Sequence, residues 1–103
     1  MQSLTIKKGA LTSDPLTLGH LQVATFFTPA TETPFSFKIQ GSIDGKVWGD
    51  FKCPEATAFT TEKSFLVHPV SDDIFEGIGY IRLKAVDKAP EEDIVVNLYI
   101  KNS

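Results

Sequence analysis

Polar and apolar residues alternate with period two along much of this chain. In the segment 35–41, Phe35, Phe37 and Ile39 alternate with Ser36, Lys38 and Gln40. Successive side chains of a strand point to opposite faces, so this segment predicts a strand with one buried and one wet face. Near the C-terminus, Ile94, Val96, Leu98 and Ile100 fall on one face, and Val95, Asn97, Tyr99 and Lys101 on the other. Residues 80–85 repeat the pattern, with Ile81, Leu83 and Ala85 inward. Weaker versions predict strands at 4–6, 16–18, 47–52 and 64–68. Another is expected at 20–27, with Leu21, Val23, Thr25 and Phe27 on one face.

Turn chemistry separates these runs. Ser13-Asp14-Pro15, Thr28-Pro29-Ala30, Glu32-Thr33-Pro34, Cys53-Pro54-Glu55 and Lys88-Ala89-Pro90 mark loops. Asp44-Gly45 lies between two apolar runs and signals a hairpin, because glycine tolerates the positive φ that tight turns need. One helical turn is expected at 71–76, with Ser71 as N-cap and Gly77 as stop. About eight short strands at regular spacing predict an all-β protein, a single antiparallel β-sandwich with at most one short helical turn. Residues 1–103 form one domain, with 1–15 read as a first strand and an arm-like loop from Gly9 to Pro15. The start at Met1 and the complete run of strands read as a whole gene product.

Composition narrows the picture. The chain has 103 residues, 42% hydrophobic and 22% charged, with eight Phe to supply an aromatic core. Its net charge is −3 and its ten basic residues do not form a stripe, which argues against nucleic-acid binding. One cysteine, Cys53, excludes an intramolecular disulfide and suits synthesis in a reducing cytosol. No apolar run approaches the ~20 residues of a membrane-spanning helix, and no signal peptide is read at the N-terminus.

Candidate chemistry is sparse. Nucleophilic catalysis needs a nucleophile, a base and an orienting group in convergence. His20, His68 and Cys53 sit in no motif of known spacing, so no enzyme activity is expected. Asp72-Asp73 and Glu91-Glu92-Asp93 lack the spacing of metal ligands, and the dispersed glycines make no phosphate cradle; no metal or cofactor is expected. Gly77-Ile78-Gly79 reads as a flexible approach to a strand. Trp48 is expected to anchor in the core. Phe26 is expected to point outward and to need a partner to cover it.

The run Gly41-Ser42-Ile43-Asp44-Gly45-Lys46-Val47-Trp48, followed by Tyr80-Ile81-Arg82-Leu83, resembles discoidin-like, galactose-binding-like sandwiches. Those pair a "GS-x-DG-x-x-W" hairpin with a "YIRL" strand. The likeness covers about half the chain, residues 35–84. It implies that Asp44-Gly45 forms the turn, Trp48 packs back on the sandwich and Arg82 faces outward. The longer lectin-like members' ligand loops have no counterpart here, so no sugar-binding residues carry over.

The chain is also similar to small structural proteins of tailed bacteriophages. The shared features are an early strand pair, the "GS-x-DG" hairpin, an acidic Phe-containing turn, an "IRL" strand and a final alternating strand. That resemblance implies a jelly-roll or discoidin-like fold and a capsid decoration, or cement, protein on the outer surface of a virion. Its implied partner is the major capsid protein, with self-association, a trimer among the options, and assembly in the host cytoplasm. Phe26 and Arg82 are the candidate interface residues. A tail or baseplate component and a carbohydrate-binding module are the alternatives.

Overall fold

In the computed structural model, which describes residues 2–52, 57–70, 74–75 and 77–102, nine strands form two antiparallel sheets. The first sheet runs β1 (Gln2–Ile6), β9 (Ile94–Asn102), β3 (Leu21–Thr28), β7 (Leu66–Pro69). The second runs β2 (Leu16–Thr17), β8 (Tyr80–Ala85), β4 (Ser36–Ser42), with β5 (Gly49–Asp50) and β6 (Ala58–Thr60) both beside β4. β5 pairs with Gln40 and Gly41, while β6 pairs with residues 36–38, so two short strands share one edge end to end. Most connections cross from one sheet to the other. The resulting order is that of a jelly roll. β6 had no signal in the sequence, because a three-residue strand carries too few positions to show a period.

The sheets pack through the faces that the alternation predicts. Leu4, Ile6, Ile94, Val96 and Leu98 on the first sheet meet Phe37, Ile39, Ile81, Leu83 and Ala85 on the second. A chain of aromatic contacts runs through this core: Phe35–Phe37 at 6.2 Å between ring centroids, Phe37–Phe59 at 5.5 Å, Phe59–Phe26 at 5.3 Å, Phe26–Phe75 at 5.9 Å and Phe75–Phe51 at 5.3 Å. Tilted and edge-on pairs place a positive ring edge against a negative ring face, which adds to the burial itself.

The parity expected for β3 is overturned, and with it the placement of Phe26. Val23 pairs with Ile100, but Thr25 pairs with Tyr99, so Ala24 is an extra residue in a β-bulge. The bulge frees the Ala24 carbonyl, which accepts a bond from the Val70 N–H at 3.0 Å. Inserting one residue exchanges the two faces for the rest of the strand. Val23 therefore points inward, and so do Phe26 and Thr28 beyond it. Phe26 is fully buried, not an interface residue. Phe27 points outward and stacks on Phe65 at 5.9 Å.

The loop after β1 is stitched to the sandwich. Gly9 N–H bonds to the Pro90 carbonyl, Ser13 N–H to that of Leu83, and Ala85 N–H to that of Leu11. The Ser13 hydroxyl accepts from Leu83 N–H at 2.9 Å. The expected helical turn at 71–76 lies largely outside the described residues; of its two described members, Phe75 is buried in the core. Cys53 also lies outside them.

Candidate interaction surfaces

β4 and β5 form the hairpin that Asp44-Gly45 signals, with Gly45 at φ 78°. The turn is wider than a two-residue reversal, because the strands do not resume pairing until Gly49. Polar side chains close it instead. Asp44 Oδ1 accepts from the N–H groups of Lys46 at 2.9 Å and Val47 at 3.1 Å, and from the Ser42 hydroxyl at 3.1 Å. Ser42 Oγ in turn accepts from Gly45 N–H at 2.8 Å. The Lys46 and Val47 amides hold the Asp44 carboxyl below its ordinary pKa. This bonding fixes a tip on which Ile43 is 87% and Val47 76% exposed.

The turn is also gripped from below. A Cβ on Gly79 would sit 3.0 Å from the Ile43 carbonyl oxygen, and Gly79 N–H bonds to the Ser42 carbonyl. Gly79 is therefore a close-approach glycine rather than a flexible lead into β8. A Cβ on Gly41 would meet Ile78 and Phe51 side chains at 3.1 Å. Gly41 thus lets the hairpin base lie against the core rim.

Trp48 is not a core anchor. It is half-buried on the outer face of the second sheet, where the Arg82 guanidinium carbon lies 4.5 Å from its ring centroid. Arg82 does face outward between buried Ile81 and Leu83. Its Nε donates to Gln40 Oε1 at 2.9 Å. Gln40 Nε2 donates to Asp50 Oδ1, and Lys38 Nζ pairs with Asp50 Oδ2, both at 2.9 Å. Gln40 first and Lys38 second hold the Asp50 carboxyl below its ordinary pKa. Gln40 and Asp50 escaped the sequence reading because the relay crosses three strands and leaves no local motif.

The outer face of the first sheet is different. Phe27 lies opposite Val67 and Asn97, and Thr25 opposite Pro69 and Tyr99. Phe65, Val67, Val95 and Tyr99 are all exposed. The two outer faces thus contrast: one is a linked array of charges and amides, the other bare of charge along its middle.

The remaining chemistry stays dispersed. His68 turns toward the core, edge-on to Phe59 at 4.7 Å, with a ring nitrogen 3.1 Å from Thr28 Oγ1. His20 is exposed in the turn before β3. A cleft of about 270 Å³ lies among Glu32, Pro34, Phe35, Lys88, Pro90 and Glu91, slightly below the ~300 Å³ at which small-molecule pockets begin. Among the described residues, no three His, Cys, Asp or Glu converge as metal ligands. Among those residues, no helix is long and apolar enough to cross a membrane. No protein-family model matches the chain, and neither a curated protein nor a solved structure is detectably similar to it.

Proposed function

We propose that this chain is a non-enzymatic structural protein that engages a partner protein through the Ile43–Val47 tip. The observation that carries the reading is the exposure of two aliphatic side chains on a turn locked by Asp44 and Ser42. Apolar groups held this far into water gain free energy when a partner's pocket covers them. A pre-fixed turn also loses little entropy on docking. The likeness of the hairpin and strand order to phage structural proteins supports a specific form: a capsid decoration protein seated on the major capsid protein lattice.

The test reads the genes on either side of this one for a major capsid protein and uses capsids assembled from it. Added protein should co-sediment with them and raise their resistance to heat. Ile43→Ser with Val47→Ser should weaken binding by about tenfold or more, equivalent to ~1.4 kcal/mol. Absence of co-sedimentation by the unmodified protein sinks the capsid reading. Binding that ignores the tip substitutions sinks the tip as the contact.

The half-exposed Trp48 ring favours one second reading, a carbohydrate-binding module, in which Trp48 and Arg82 form the edge of a sugar platform. Binding to a glycan array that Trp48→Ala abolishes without unfolding the domain is the result this reading requires.

A further inference from the structure

The outer face of the first sheet offers a second surface, remote in the sheet order from the hairpin tip. Its outward positions run from Ser3 and Thr5 on β1, across β9 and β3, to Val67 and Pro69 on β7. Charged residues make up 22% of the chain. Between those two edge strands the outward positions carry, among the described residues, one charge, Lys101, which stands opposite Gln22 at the end of β9. Phe65, Phe27, Val67 and Tyr99 form an apolar band beside the small polar groups of Thr25 and Asn97.

We infer that this face pairs with the same face of a second copy of the chain about a two-fold axis. A two-fold interface presents one patch to itself, so any charge on the patch meets its own sign. A patch whose one charge, Lys101, stands at its rim keeps that penalty away from its middle. Thr25, Asn97 and Ser3 both donate and accept hydrogen bonds, so they satisfy copies of themselves. The size also fits. Four strands about 4.8 Å apart, the longest rising about 3.3 Å per residue, give a footprint of at most roughly 20 by 30 Å. Corrugation by Phe65, Phe27 and Tyr99 brings its accessible area toward the ~800 Å² that each partner of a standard interface contributes. The two sheets then stack face to face, as the two sheets inside each sandwich already do.

The test is the solution mass of the full chain by sedimentation equilibrium over a wide concentration range. The expected result is a species of twice the 11.3 kDa chain mass. Val67→Lys and Tyr99→Lys, made separately, should each return it to a monomer with an unchanged far-UV spectrum. Lys84→Glu, on the outer face of the other sheet, should leave the dimer intact. A monomer at the highest soluble concentration overturns the inference, as does a trimer or a dimer indifferent to both lysine substitutions. Capsid binding by a protein found to be monomeric would leave the tip proposal standing and remove only this one.

Discussion

The guanidinium of Arg82 lies 4.5 Å from the centre of the Trp48 ring, and its Nε is held 2.9 Å from Gln40. One side chain thereby links the connecting turn of the hairpin to the middle strands of the second sheet. A cation over a partly exposed indole contributes about 0.5–1 kcal/mol. Trp48→Ala and Arg82→Ala should therefore each leave the fold intact. A double-mutant cycle in urea should return a coupling of that size. A coupling indistinguishable from zero would mean that the two groups are neighbours without mutual attraction.

The bulge at Ala24 makes unequal partners of Phe26 and Phe27. Phe26→Ala empties a fully buried site between Phe59 and Phe75 and should cost about 3–5 kcal/mol. Phe27→Ala removes an outer stack on Phe65 and should cost roughly 1 kcal/mol. Equilibrium denaturation of the two variants checks the order. A greater loss at Phe27 would place the bulge elsewhere in β3.

Gly79 and Gly49 offer a second matched pair. A Cβ at Gly79 presses on the Ile43 carbonyl, which belongs to a hydrogen-bonded turn and cannot easily retreat. Gly79→Ala should destabilise by about 1–3 kcal/mol, the usual cost of forced overpacking. Gly49→Ala meets nothing within 4 Å and should be close to neutral. Thermal melts of both variants decide the matter, and equal melting temperatures would remove the close approach.

Burial holds the His68 imidazole below its ordinary pKa, against the opposing pull of Glu62. The unfolded chain then binds the proton more readily than the folded one at pH values just under 6.5. The His68 contribution is complete above that pH and is lost as pH falls toward and through the lower folded value. Asp44 and Asp50, whose folded carboxyls also titrate low, add a further loss below pH 3.8. His68→Gln should flatten the fall in melting temperature between about pH 7 and pH 5. A slope identical to that of the unmodified protein would show that His68 is not its source.

The alternation of Phe35, Phe37 and Ile39, and of Ile94 through Ile100, was enough to predict two half-buried strands and, with the turn signals, a sandwich. Period two is a local property, fixed by the backbone of each strand alone. Asp44-Gly45 likewise announced its hairpin, because the positive φ of Gly45 is demanded by the turn itself.

Tertiary structure decided what depends on register between distant segments. Nothing local in residues 21–28 marks Ala24 as the bulged residue. It is the pairing of Val23 with Ile100 and Thr25 with Tyr99 that sends Phe26 inward and Phe27 out. Trp48 reached the surface for a similar reason: its partner Arg82 lies 34 positions away and is placed by the β4–β8 register. The contrast between the two outer faces arises in the same way. Each strand contributes only one to four outward residues, and whether these make a charged relay or an apolar band depends on which strands the fold sets side by side.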